Sequence, residues 1–135
     1  MNPKYLLDTN ICIYIRQSRP AQVLAHFRRL KPGEGVISLV TYGELVYGAE
    51  KSQHRLKTLQ QLSELIQLLP VMPLSEEVAR TYGECRATLE KLGQVIGNND
   101  LWIAAHAKAE NLTLVTNNER EFRRIAGLKV QNWVI

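Results

Sequence analysis

Four carboxylates and one asparagine occupy positions from which a chain of this kind could do chemistry. Asp8 directly follows the apolar run Lys4-Tyr5-Leu6-Leu7, and Glu44 lies shortly after Val36–Val40. Asn118 and Glu121 follow Leu112–Thr116, and Asp100 opens an apolar helical stretch. Carboxylates gathered at one place raise each other's pKa and destabilise the fold unless a cation neutralises them. Oxygen-only ligands suit Mg²⁺, with Mn²⁺ as the alternative, because both bind carboxylates and phosphates while keeping several waters. Zinc is disfavoured: His26, His54 and His106 are scattered, and Cys12 and Cys85 lack ligand spacing. A bound divalent ion lowers the pKa of water for attack on phosphorus and stabilises the departing oxygen. The chemistry implied is therefore phosphodiester hydrolysis. Since an acidic pocket repels a polyanion, the rim must supply cations, for which Arg16, Arg19, Lys51, Arg86, Arg120 and Arg123 are nearest by position.

These residues must be carried by elements that end at a common edge. Continuous apolar runs at Lys4–Leu7, Val36–Val40 and Leu112–Thr116 predict buried strands. Val71–Leu74, interrupted by Pro73, predicts a short edge strand, and Val130–Ile135 a last one. Helices are predicted over Ile11–Arg16, from Pro20 through Leu30, after a Thr41 cap, over Gln53–Leu69, and from Ser75 to Leu92. Another starts at Asn117-Asn118 and runs to about Ile125. Between Gly93 and Gly97 the chain breaks before the helix of Asp100, capped by Asn98 or Asn99. That helix is apolar all round and so expected to be buried, with His106 as a satisfied core histidine. Strands alternating with helices predict an α/β fold, a three-layer α/β/α sandwich around a parallel sheet, filling residues 1–135 as one domain. Ligands in such sheets sit beyond the carboxyl ends of the strands, where all these acids fall.

Each acid also has a local explanation. Asp8 or Asn10 fits a helix cap, and Asp100 complements a helix dipole. Thr41 with Glu44, and Thr116 with Glu119, fit the reciprocal capping-box pattern. It is the convergence of several carboxylates on one edge that favours a metal site.

Composition sets wide bounds. Of 135 residues, 45% are hydrophobic and 22% charged, ordinary for a globular chain. The net charge of +4 permits a polyanionic partner without requiring one. No signal peptide or apolar stretch of membrane-spanning length is evident. Two cysteines in apolar helical contexts predict buried free thiols and a cytoplasmic location, with no membrane partner.

Four ordered motifs carry a resemblance. Leu7-Asp8-Thr9-Asn10, Ser38 with Glu44-Leu45, Ile96-Gly97 with Asn99-Asp100 and Ile103-Ala104-Ala105, and Leu114-Val115-Thr116-Asn117-Asn118 with Glu121-Phe122 resemble the PIN-domain nucleases. More narrowly, the chain resembles VapC-type toxins of bacterial toxin–antitoxin pairs, from Tyr5 to Asn132-Trp133. The resemblance implies a five-stranded parallel sheet and Mg²⁺-dependent endoribonuclease activity on structured RNA such as tRNA. It assigns Asp8, Glu44 and Asp100 as the acidic triad, Asp8 and Asp100 contacting metal most directly, with Thr9 and Asn10 steadying the first loop and Thr116 supporting the last. Many members carry aspartate where this chain has Asn118, which shifts part of that role to Glu121 and favours one metal. The resemblance also implies a homodimer and a VapB-type antitoxin, which pushes a basic side chain into the acidic pocket and makes any DNA contact indirect. The Gln53–Leu69 and Val78–Leu92 helices are the candidate surfaces for these partners.

Rival readings are a PIN-like module that binds RNA or protein without cutting, and a metal-dependent DNase, since the metal chemistry does not use the ribose 2′-hydroxyl. An aspartyl-phosphate phosphatase is disfavoured because Asn10 stands where the second aspartate is needed.

Overall fold

Buried β-branched and leucine runs, each too short for a helix, build the centre of the computed structural model, which describes residues 2–135. In chain order the elements are β1 (Tyr5–Leu7), α1 (Thr9–Gln17), α2 (Ala21–Arg28), β2 (Gly35–Ser38), α3 (Leu39–Glu50) and α4 (Arg55–Leu68). They continue with β3 (Val71–Met72), α5 (Glu76–Leu92), α6 (Asn98–Ala109), β4 (Thr113–Val115), α7 (Glu119–Phe122) and β5 (Val130–Gln131). The strands pair in parallel, in the order β3-β2-β1-β4-β5. Strand order reverses between β1 and β4, where Leu7 is in register with Val115.

Alternation along the strands splits the core into two layers. Leu6, Val36 and Leu114 pack with Leu89 of α5, Leu101, Ile103 and Ala104 of α6, and Phe122 of α7. Leu7, Ile37 and Val115 pack on the opposite face with Ile11 and Ile15 of α1, Val23 of α2, and Leu62 and Leu65 of α4. Burying each such side chain is worth about 1.5–3 kcal/mol, so the sheet is clamped between helices. Helix α3 touches both layers, Leu45 lying in one and Val40 against the other. No helix among the described residues is long and apolar enough to cross a membrane.

Several boundaries differ from the sequence expectation. The strand expected over Val36–Val40 ends at Ser38, whose extended backbone and Oγ, accepting the Val40 N–H at 3.1 Å, start α3. Thr41 is therefore a buried residue inside α3, not its cap. Gly97, not an asparagine, precedes α6. Helix α7 stops at Phe122, short of Ile125, and β5 spans only Val130–Gln131. Leu56 and Leu92, expected on apolar faces, are exposed. The short strand with Pro73 behind it does lie at the sheet edge, and Ser75 caps α5 by accepting the Val78 N–H.

Gly35 shows how closely β2 is approached. A Cβ there would meet the tips of Leu30 and Leu69 at 2.8 Å each, and Leu69 is fully buried. Gly35→Ala is expected to cost about 1–3 kcal/mol through overpacking. Urea denaturation checks this, and an unchanged midpoint would mean the two leucines retreat freely.

Candidate active site

Open parallel sheets bind ligands beyond the strand ends where strand order reverses, here between β1 and β4, and Asp8 directly follows β1 at that edge. Asp8 caps α1, its Oδ1 accepting the Ile11 N–H at 3.0 Å, and it is only 6% exposed. Capping and a functional role are compatible here, since one oxygen holds the helix. Burial raises the Asp8 pKa; the Thr116 hydroxyl and the Ile11 and Asn10 N–H groups oppose this, and the Glu44 charge adds to it. Thr116 is itself buried and also accepts the Asn118 N–H at 2.9 Å. One threonine thus ties the end of β1 to the loop after β4.

Asp100 enters from the first turn of α6. Its pKa is pushed up to about 6, first by burial and then by the charges of Glu121, Glu44 and Asp8, with a carboxyl–carboxyl hydrogen bond to Glu121. The four acids therefore share one field. No Lys or Arg among the described residues forms an ion pair with any of them.

Polar neighbours hold the other two acids in place. The Thr9 hydroxyl donates to Glu44 Oε1, and Asn99 Nδ2 donates to Glu44 Oε2 at 3.3 Å. The Thr41 hydroxyl lies 3.5 Å from that of Thr9. Glu44 is thus turned toward α1 and α6, and the capping-box reading of Thr41 and Glu44 fails. Glu121 accepts the Gly97 N–H at 3.4 Å and Asn118 Nδ2 at 2.9 Å. Asn118 acts on Glu121, and Asn10 reaches the site through its backbone N–H while its side chain is exposed. Asn99 and Thr41 were not among the expected site residues. Asn99 was legible as a cap candidate and as part of the motif around Asp100, and Thr41 was masked by its fit to a cap.

Glu119 is no cap partner of Thr116, pairing instead with Arg123 at 2.8 Å. Two of the expected rim cations are thereby engaged, Arg123 with Glu119 and Arg86 with Glu90 and the Tyr82 hydroxyl. His106 is only half satisfied: Nδ1 lies 2.9 Å from Ser38 Oγ, while the buried Nε2 has no partner among the described residues.

In donor chemistry, an unneutralised set of buried and half-buried carboxylates fits a hard divalent cation. Among the described residues no three His, Cys, Asp or Glu side chains close into a ready ligand cage.

The chain matches the PIN-domain family model over residues 5–128. It is 41% identical over 131 residues to ribonuclease VapC2 of Haemophilus influenzae, covering 97% of this chain and 98% of that one. It is 41% identical to the tRNA(fMet)-specific endonuclease VapC of Shigella flexneri, covering 96% and 98% of the two chains. The crystal structure of DNA-bound VapBC from Salmonella typhimurium superposes with a TM-score of 0.91 at 37% identity, over 97% of this chain and 98% of its counterpart. A five-stranded parallel sheet with acids at its switch point, and relatives of this identity along nearly the whole length, place the chain in the PIN-domain family, among the VapC proteins.

Proposed function

We propose that this protein is a divalent-metal-dependent endoribonuclease toxin that cleaves structured RNA, tRNA in particular, and is restrained by a VapB-type antitoxin. The observation that carries the metal reading is the meeting of Asp8, Glu44, Asp100 and Glu121 in one electrostatic field, with no basic side chain among the described residues paired to them. Asp8, the buried member of the set, and Asp100, whose carboxyl is desolvated and faces the charges of the other three, would hold the ion. When bound, the ion supplies an activated water at neutral pH and neutralises charge at phosphorus. Glu44, oriented by Thr9 and Asn99, and Glu121, oriented by Asn118 and the Gly97 N–H, both act on Asp100 through their charge and would orient the attacking water or take its proton.

The substrate and partner assignments draw on the relatives. A VapC of Shigella flexneri is a tRNA(fMet)-specific endonuclease, and the Salmonella typhimurium VapC assembles with VapB on DNA. We further propose that this chain works as a homodimer and meets DNA only through its antitoxin. Exposed Leu56 and Leu68 on α4 and Leu92 on α5 keep those helices as candidate partner surfaces. Cys12 and Cys85 are buried and unpaired, in keeping with work in the cytoplasm.

Incubating the purified protein with total RNA tests this reading. Cleavage is expected with millimolar Mg²⁺ or Mn²⁺, to vanish in EDTA, and to place its new RNA ends within tRNA. Undiminished cutting in EDTA would refute the metal assignment, and equal cutting of single-stranded DNA would refute the RNA assignment.

A further inference from the structure

Two hydrogen bonds join α6 to α3, at different depths. At the site, Asn99 of α6 donates to Glu44 of α3 at 3.3 Å. In the core, His106 Nδ1 and Ser38 Oγ lie 2.9 Å apart, both side chains fully buried. Asn99 and His106 are seven residues apart, close to two turns, so they lie on the same stripe of α6. Ser38 caps α3, and Glu44 lies further along that helix. The pairing is antiparallel: the start of α6 meets the body of α3, and the body of α6 meets the start of α3.

We propose that the buried Ser38–His106 bond is a register pin, which sets the axial position of the Asp100 helix against the Glu44 helix and makes His106 a positioning residue for the metal-binding carboxylates. The proposal rests on the metal reading of the acids given above. Apolar contacts between helices are indifferent to small sliding, whereas a buried hydrogen bond is directional and costly to leave unmade. Buried polar pairs specify register for this reason in other helical packings. Nothing else polar is buried between α3 and α6 among the hydrogen bonds of the described residues; the Asn99–Glu44 contact is at the surface.

The pin also fixes a tautomer. Ser38 Oγ already accepts the Val40 N–H at 3.1 Å. If its hydroxyl donates to His106 Nδ1, only the Nε2–H is left without a partner. If His106 donated instead, both the serine proton and the Nε2 lone pair would be stranded. One buried orphan costs less than two, so the imidazole is neutral with its proton on Nε2. Burial, which lowers the His106 pKa, favours the same neutral form.

The test uses Mn²⁺ binding by calorimetry on the wild type, His106→Leu, His106→Asn and Ser38→Ala, with RNA cleavage measured in parallel. Leucine fills the space without a bonding atom, whereas the amide of asparagine reaches the place of Nδ1. Wild type is expected to bind Mn²⁺; His106→Leu and Ser38→Ala are expected to weaken binding about tenfold, the low end for loss of an outer partner at a metal site. His106→Asn is expected to restore most of that loss. The ¹H–¹⁵N correlations of the wild-type imidazole should show the Nε2–H tautomer at neutral pH. Equal Mn²⁺ affinity in wild type and His106→Leu, both folded, would overturn the pin, as would an Nδ1–H tautomer or failure of asparagine to rescue. If His106→Leu does not fold, Ser38→Ala carries the comparison. No Mn²⁺ binding by the wild type would overturn the metal reading itself, and the pin with it.

Discussion

Asp8→Asn is expected to reduce RNA cleavage about a thousandfold or more while leaving the fold unchanged. The magnitude follows from the several kcal/mol that a catalytic metal contributes to the transition state, at about 1.4 kcal/mol for each tenfold in rate. The specificity of the result follows from the double role of Asp8. Its Oδ1 caps α1 through the Ile11 N–H, and asparagine is as good an N-cap as aspartate. An amide oxygen keeps that bond, and what disappears is the negative charge facing Glu44 and Asp100. Alanine would confound the two roles by removing the cap as well, at about 1 kcal/mol. Single-turnover cleavage at saturating Mg²⁺, with circular dichroism and urea midpoints on the same samples, separates loss of charge from loss of structure. Full cleavage by a folded Asp8→Asn protein would show that this carboxylate holds no metal.

What could be read from residues alone divides along a physical line. The strands that carry the site were legible because Leu6-Leu7, Val36-Ile37 and Leu114-Val115 are buried on both faces, which a continuous apolar run announces. Asp8 and Asp100 were legible because each directly follows a strand or opens a buried helix. The start of α3 was not. Ser38 and Thr41 are both cap formers, and the β-branched Val40 between them suits a strand. The tie is broken by tertiary contacts, Val40 packing beside the α5–α6 layer and Ser38 meeting His106. With the cap moved to Ser38, Glu44 lies too far along α3 to bond back to it and is free to face Asn99. Helix α7 was overextended for a related reason: Thr116 and Glu119 look like a capping box, yet Thr116 serves Asp8 and Asn118, and Glu119 serves Arg123. Contacts such as Asn99–Glu44 join distant parts of the chain and leave no local periodicity to detect.

The same crowding of acids makes Asp100→Asn a stabilising substitution when metal is withheld. In the folded chain the Asp100 pKa rises from an ordinary 3.8 to about 6, through burial and the charges of Glu121, Glu44 and Asp8. Between those values the folded protein binds the proton that the unfolded chain releases. Stability from this group therefore falls as pH rises from about 4 to 6 and stays low above that. Removing the carboxylate lifts this penalty at pH 7.5 and changes little at pH 4. At about 1.4 kcal/mol per tenfold in proton affinity, and discounted by about half for the partial solvent access of Asp100, the gain is about 1–2 kcal/mol. Mg²⁺ is expected to reverse the ranking. An ion at a hundred times its Kd would add about 2.7 kcal/mol to the wild type and far less to a variant lacking one of the two carboxylates proposed to hold it. Urea denaturation at pH 5 and 7.5, in EDTA and in Mg²⁺, would display the crossing. Asp100→Asn should be the more stable protein in EDTA at pH 7.5 and the less stable in Mg²⁺. A variant that is weaker in both solutions would mean that Asp100 is held by favourable contacts, and that the carboxylates are not waiting for a cation.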